Sequence, residues 1–180
     1  RLSKLLAVDT IHREQTLATL EEGGNVIVDI TAFCLMPNHF HILLRQVKDN
    51  GISRFAKLIS DSYTKFFNTA HERVGPLFQG QFKAVHIETE DQLLHLSRYI
   101  HLNPLISSIV REKDFLNYPW SSLSYFVGHK ACPRFLDPAP VMSQFKTSKK
   151  YLELVLDQVE YARRLKNINH LTLEKYPDVR

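Results

Sequence analysis

The chain has 180 residues, of which 44% are hydrophobic and 23% charged, and its formal net charge is +4. This length is enough for one domain with a substantial core, and the composition is ordinary for a globular protein. No apolar run is long enough to span a bilayer, so we expect no membrane partner. Cys34 and Cys132 lie far apart, which excludes a disulfide framework and favours a reducing cytoplasm. Cys34 lies among apolar residues and is predicted to be a small core residue.

The first half of the chain alternates between helical and strand-like patterns. A loose helical pattern covers residues 2–21, and residues 52–69 show the i, i+3, i+4 spacing of an amphipathic helix. Between them, residues 26–33 and 39–45 predict two strands that are close enough to pair antiparallel. Because Arg1 already lies inside a helical pattern, we expect a preceding strand to be missing from this chain.

The second half predicts one strand and three helices, over residues 82–87, 91–103, 106–115 and 148–166. Thr89 and Gln92 have the spacing of a capping box, which predicts a helix start at this point. Pro104 disfavours the helical conformation of the residue before it, so we expect this helix to end at Asn103.

One stretch carries two histidines with the spacing of metal ligands. His39 and His41 flank Phe40 inside a predicted strand, so the two imidazoles point to one face, roughly 6.5–7 Å apart along the strand. Pro37 and Asn38 suit the turn before this strand, which would place an ion near one end of the sheet. Two histidines on the solvated face of a sheet are the alternative interpretation, and the spacing alone does not separate the two.

A nucleophile and a third ligand are available on the helix predicted over 91–103. Tyr99 and Asn103 are four residues apart, so they lie on the same helix face, one turn from each other. If this helix packs across the sheet, Asn103 would supply an oxygen ligand and Tyr99 an attacking oxygen. Two imidazoles and an amide suit Mg²⁺ or Mn²⁺, and the ligand types alone leave zinc open. Taken singly, Tyr99 is explained as an ordinary core or surface tyrosine and Asn103 as a cap before proline.

Several ordered segments resemble one family. The segments are residues 36–41 (MPNHFH), 75–83 (GPLFQGQFK), 98–104 (RYIHLNP) and 118–122 (YPWSS). The first resembles the HUH metal motif of the single-tyrosine transposases, and the third resembles the catalytic helix of their REP-associated tyrosine transposase (RAYT) branch. The similarity covers roughly residues 20–128, with residue 165 as its outer limit. It is more specific than the histidine pair because several motifs agree in order.

This resemblance implies an α+β fold with a ferredoxin-like (RRM-like) antiparallel sheet, helices packed on it, and a helical C-terminal extension. The catalytic domain would cover residues 1–128, and the extension would cover 129–180. The implied activity is cleavage and rejoining of single-stranded DNA at or near a hairpin by a monomer or homodimer. Tyr99 would form a 5′-phosphotyrosine, and a divalent metal, Mg²⁺ or Mn²⁺, would be held by three ligands: His39, His41 and Asn103.

Four basic residues are candidates for phosphate contacts: Lys83, Arg45, Arg54 and Lys57. A solvated helix face explains Arg54 and Lys57 equally well. Phe78 and Trp120 are candidates for stacking on a base, although we expect both to be packing residues.

Two other functions remain compatible with the sequence. The first is a nucleic-acid-binding protein of the same fold that has lost catalysis, which the basic charge and the expected missing strand would explain. The second is a metal-dependent hydrolase that uses an activated water, whose turnover would not depend on Tyr99.

Overall fold

A computed structural model describes residues 26–157 together with Gln15, Ala18 and Thr19. These three separate residues are helical, as predicted, and the remainder of the helix predicted over 2–21 lies outside the described residues. The helix predicted over 148–166 is described only in its first part.

The described elements are two strands and six helices. They are β1 (Val28–Leu35), β2 (Phe40–Gln46), α1 (Gly51–Ala70), α2 (Glu90–Ile106), α3 (Glu112–Phe115), α4 (Leu123–Phe126), α5 (Ala139–Met142) and α6 (Ser148–Leu156). The two strands are hydrogen-bonded neighbours, and a short connection joins them as an antiparallel hairpin. The predicted α+β class, with an antiparallel sheet and helices packed on it, is confirmed. In the described part of the chain, no helix has both the length and the apolarity needed to cross a membrane.

The described residues form two compact units. The first contains residues 26–29 and 45–83, and the second contains residues 30–44 and 84–157. Both strands therefore contribute residues to both units.

The first unit is built around α1, which occupies the predicted amphipathic helix with one extra residue at each end. Asn50 before it has a left-handed backbone with a φ of 57°. Gly51 begins the helix directly against the carbonyl oxygen of Ile27, where a β-carbon would clash. Glycine is therefore required at this start. Farther along, the rings of Tyr63 and Phe78 pack with their centroids 6.1 Å apart.

The second unit has a core in which the hairpin packs against the helices that follow α1. Alternation along β1 turns Ala32 and Cys34 inward, both 0% exposed. The prediction that Cys34 is a core residue is thus confirmed, and burial raises the pKa of its thiol to about 12. The other core residues are Met36, Leu43, Ile100, Leu102, Leu105, Phe115, Leu123, Phe126, Val141, Tyr151 and Val155. This packing joins the sheet to α2, the helix that carries Tyr99.

The prediction of a strand over residues 82–87 is wrong. These residues form no strand in the structure, and Phe82 and Val85 are about half exposed, at 48% and 50%. Their alternating pattern matches a strand, but no neighbouring strand in the described part of the chain pairs with them. An alternating pattern alone does not produce a strand, because the backbone N–H and C=O groups of a strand must be hydrogen-bonded to a neighbouring strand.

The predicted start of α2 is confirmed, and its predicted end is wrong. Thr89 and Gln92 form the capping box at the start. The helix nevertheless continues through Pro104 to Ile106. Proline removes one backbone hydrogen bond, but Pro104 is fully buried and the helical bond from Ser107 N–H to the Asn103 carbonyl is retained at 2.9 Å. Core packing therefore outweighs the local cost of proline, which is about 3 kcal/mol in a helix interior.

The elements after α2 differ in part from those that the sequence patterns predict. Of the helix predicted over 106–115, Glu112–Phe115 forms a separate helix and Ile106 still belongs to α2. The residues between them are not helical, and Ser108 adopts a positive φ of 58°. The last helix begins at Ser148 as predicted, with the Thr147 hydroxyl accepting a hydrogen bond from the Lys150 N–H. Trp120, which we expected to pack, is 58% exposed.

A buried polar network joins α2 to the rest of the second unit. His101, 0% exposed, bonds through Nδ1 to the Tyr151 hydroxyl and through Nε2 to the Ser122 hydroxyl, each at 2.7 Å. Tyr151 also donates to the Ser97 hydroxyl at 3.3 Å, and Ser122 Oγ accepts from the Phe33 N–H at 2.9 Å. Every polar side chain in the network has a partner, as a buried network requires.

His101 makes the stability of the protein sensitive to acid. Burial lowers the pKa of His101 from an ordinary value of 6.5 to about 3. Between these two values the unfolded chain binds a proton that the folded chain does not. The free energy of unfolding should therefore fall as the pH falls from about 6.5 toward 3, by up to about 1.4 kcal/mol per pH unit. Urea unfolding between pH 7.5 and pH 4.5 measures this slope.

The matched variant is His101→Gln, which cannot titrate in this range and should show a flatter dependence on pH. Burial lowers the pKa of His41 as well, but His41 is present in both proteins and cancels in the comparison. Equal slopes in the two proteins would contradict the assignment to His101.

Candidate active site

The predicted nucleophile and the predicted histidine pair meet in the second unit. His39 lies just before β2 and His41 is its second residue, while Tyr99 lies on α2. The ring centroids of His39 and His41 are 4.9 Å apart, and those of His41 and Tyr99 are 5.5 Å apart. Both contacts are edge-to-face. We call these three residues the His–Tyr cluster.

Local structure explains how the hairpin presents its two histidines. Residues 37–38 form a bend, and the Met36 N–H closes it by donating to the His39 carbonyl at 2.8 Å. The ring of His39 is held by Asn38, whose Oδ1 lies 2.7 Å from His39 Nδ1. Since Oδ1 can only accept, Nδ1 donates in this bond and the lone pair of His39 is at Nε2. Such a bond orients an imidazole for a ligand.

His41 is held in its neutral form. Burial, with a smaller contribution from the nearby His39, lowers the pKa of His41 below 6.5. A neutral imidazole keeps a free lone pair on one nitrogen, which is the form that coordinates a metal. His41 is therefore suited to accept a ligand near neutral pH.

Tyr99 is accessible to a substrate. Its side chain is 41% exposed, whereas its neighbour Ile100 is only 6% exposed. The phenol is therefore not buried in apolar packing, and it lies directly beside His41. Asn103 follows one turn later on α2 and is 7% exposed. The predicted continuity of α2 between Tyr99 and Asn103 thus holds in the structure.

Two residues of the site, His41 and Asn103, contain buried polar atoms without a hydrogen-bond partner. In the described part of the chain, the buried side-chain nitrogen and oxygen atoms without a hydrogen-bond partner are His41 Nε2 and Asn103 Nδ2. Leaving such an atom unpaired costs about 1–3 kcal/mol. Asn103 Oδ1 accepts a long hydrogen bond of 3.4 Å from the Ser107 hydroxyl. Turning the amide over would give that contact to Nδ2 and place Oδ1 at the unpartnered position.

These residues fit a divalent cation. Among the described residues, no group of three or more His, Cys, Asp or Glu side chains could hold a metal, so a third protein ligand must be of another type. The amide oxygen of Asn103 is such a donor, and coordination would satisfy both unpartnered positions. A mixed imidazole and oxygen set is compatible with Mn²⁺ and Mg²⁺.

The candidate DNA-binding residues all belong to the first unit: Lys83, Arg45, Arg54 and Lys57. Arg45 forms an ion pair with Asp29 at 2.6 Å, and Lys57 forms one with Asp61 at 2.9 Å. Exposed pairs of this kind contribute little to stability, so these side chains are not committed to a structural role.

The sequence did not reveal two features that support the site. The sequence pattern identifies Asn38 only as a turn residue, although a polar side chain next to a candidate ligand is a signal for a residue that orients the ring. The buried network around His101 has no such local signal, because Tyr151 lies 50 residues farther along the chain.

Comparison with known proteins gives one match. A family model described as "Transposase IS200 like" matches residues 12–103, about half of the chain. This range contains the whole hairpin together with Tyr99 and Asn103. No curated protein and no solved structure matches the chain.

The fit to a cation gives a direct prediction. The protein should bind Mn²⁺, and His41→Ala should weaken binding at least about tenfold because one ligand is lost. Asn38→Ala should weaken it about 10- to 100-fold by releasing the ring of His39. Titration followed by electron paramagnetic resonance of free Mn²⁺ measures these affinities.

The control is His86→Ala, since His86 lies in the same unit with its side chain 87% exposed. Its affinity should equal that of the unaltered protein. Equal affinity in the His41 variant would show that the site does not hold the ion.

Proposed function

The chain belongs to the IS200-like transposase family, and we propose that it cleaves and rejoins single-stranded DNA through a covalent bond between Tyr99 and a 5′ phosphate. The observation that carries this proposal is the contact between the exposed phenol of Tyr99 and the ring of His41. A nucleophile beside two imidazoles, on a helix anchored in the core, supports phosphoryl transfer to Tyr99.

In the cleavage step, Tyr99 Oη attacks the phosphorus atom of a phosphodiester. A bond forms between Oη and phosphorus, and the bond from phosphorus to the 3′ oxygen breaks. The phenolic proton passes to solvent, which reaches Tyr99 because 41% of the side chain is exposed. The departing 3′ oxygen takes a proton from solvent and leaves as a free hydroxyl.

His39, His41 and Asn103 would hold a divalent ion next to this reaction. When bound, the ion offsets the negative charge on the phosphate and on the departing oxygen. The protein prepares the ligands in three ways. Asn38 orients His39, burial keeps His41 neutral, and α2 places Asn103 one turn from Tyr99.

Rejoining is the reverse of cleavage with another strand. A 3′ hydroxyl attacks the phosphotyrosine, a new phosphodiester forms, and the Tyr99 oxygen leaves and regains its proton. The number of phosphoester bonds is unchanged in each step, so no nucleotide triphosphate is needed.

The substrate and the setting follow from the motifs. We assign the chain to the REP-associated branch on the segment 98–104, and we expect its DNA to be a hairpin at repeat sequences in the cytoplasm. Phosphate contacts would come from the four basic residues of the first unit, and the active form would be a monomer or homodimer.

Tyr99→Phe tests the proposal. Removing the phenolic oxygen should lower covalent adduct formation with a single-stranded hairpin substrate by at least about 10³-fold, because the proposed nucleophile is lost. Binding of the same DNA should be unchanged. The adduct is measured as a shift on denaturing gels in the presence of Mn²⁺, and binding is measured by fluorescence anisotropy.

Tyr63→Phe is the control, because Tyr63 is similarly exposed, at 50%, and lies in the other unit. It should form the adduct at the normal rate. An unaltered protein that binds DNA without any adduct would indicate the non-catalytic alternative. Cleavage that persists in Tyr99→Phe would indicate hydrolysis by an activated water.

A further inference from the structure

We propose that the buried network of His101, Tyr151, Ser122 and Ser97 is a positioning device that sets the rotation of α2 and thereby directs Tyr99 toward His41. This inference rests on the proposed function of Tyr99. None of the four residues belongs to the His–Tyr cluster, so they act through the helix.

The network and the site occupy opposite sides of α2. An α-helix turns about 100° per residue, so His101 lies about 200° around the axis from Tyr99 and also from Asn103. Ser97 lies one turn before His101, on the same side as His101. A rotation of α2 that displaces His101 from its partners therefore displaces Tyr99 and Asn103 as well.

Apolar burial alone does not define this rotation. The leucine and isoleucine residues of α2 are distributed around the helix rather than along one stripe: Leu93, Leu94, Leu96, Ile100, Leu102, Leu105 and Ile106. A helix that is apolar on most sides can exchange one buried face for another at small cost. Directional hydrogen bonds distinguish between such faces, because a rotated helix leaves its buried polar atoms unpaired.

The partners of the network come from three other parts of the second unit. Tyr151 lies on α6, which packs against α2, and its ring also contacts Phe126 and Phe145. Ser122 precedes α4 and is tied to β1 by two bonds to the Phe33 backbone, at 2.9 Å each: Phe33 N–H to Ser122 Oγ, and Ser122 N–H to the Phe33 carbonyl. His101 thus connects α2 to α6 directly and, through Ser122, to β1, the first strand of the hairpin that carries the histidines.

The protons of the network can be placed without an unpaired group. In one arrangement, Tyr151 donates to His101 Nδ1, His101 Nε2–H donates to Ser122, and the Ser122 hydroxyl donates to the Phe33 carbonyl at 3.2 Å. In the other, the Ser122 hydroxyl donates to His101 Nε2 and His101 Nδ1–H donates to Tyr151. Tyr151 then donates to Ser97, whose hydroxyl donates to the Leu94 carbonyl at 2.9 Å. Either way a neutral His101 is held on both sides, so its ring is locked in one orientation.

Tyr151→Phe is the sharpest test, since it removes one hydroxyl and keeps the ring packing. At saturating DNA and Mn²⁺, the rate of adduct formation should fall about 10- to 100-fold, the range expected when a reacting group is misplaced by about 1 Å. The DNA dissociation constant should be unchanged. Circular dichroism establishes that the variant is folded.

A second readout reports the position of Tyr99 without any reaction. 3-Fluorotyrosine at position 99 should give one fluorine resonance in the unaltered protein, shifted by the adjacent ring of His41. In Tyr151→Phe this resonance should broaden or split, because α2 then samples more than one rotation. The test remains valid if the protein proves to form no adduct, so failure of the proposed function can be told apart from failure of this inference.

Tyr125→Phe is the matched control, because Tyr125 lies on α4 in the same unit and outside the network. It should change neither the rate nor the resonance. An unchanged fluorine resonance in Tyr151→Phe would overturn the proposal, whether or not the rate falls. If Tyr151→Phe does not fold, Ser97→Ala undergoes the same two measurements with the same expected directions, since it removes the 3.3 Å contact to Tyr151 together with the bond to the Leu94 carbonyl of the same helix.

Discussion

The orientation of α2 is the constraint on which the rest of the site depends. This helix has polar side chains on two opposite sides. Because the helix rotates as one body, burying the side chains of one side also sets the direction of those on the other. His101 and Ser97 are buried and bond to Tyr151 on α6 and to Ser122 just before α4, and Tyr99 on the opposite side is exposed beside His41. The contact that suggests catalysis is therefore a consequence of hydrogen bonds made on the far side of the helix.

The two sides of α2 differ in how completely their polar atoms are satisfied. The buried network has a partner for each ring nitrogen and hydroxyl, which favours a single packed state. On the other side, His41 Nε2 and Asn103 Nδ2 are buried without a hydrogen-bond partner. A folded protein tolerates such a cost where a ligand is to be bound, and the donor types fit a divalent cation. The satisfied network on one side of α2 thus stabilises the helix that carries the candidate binding site on its other side.

The sequence predicted those elements whose signals are local. The hairpin, α1 and the start of α2 were found because alternation, helical spacing and a capping box act over a few residues. The errors have the opposite cause. Residues 82–87 alternate like a strand but have no pairing strand in the described part of the chain, and Pro104 continues a helix because it is buried in the core. Trp120, expected to be a packing residue, is largely exposed, and no local pattern indicates this.

For the candidate site, the sequence alone determined which side chains share a face. A period of two placed His39 with His41, and a spacing of four placed Tyr99 with Asn103. Only the tertiary structure decided that the phenol meets the imidazoles, that Asn38 orients His39, and that His101 reaches a tyrosine 50 residues away. The physical reason is that backbone geometry sets the direction of side chains within one element, whereas the approach of two elements depends on how the whole core packs.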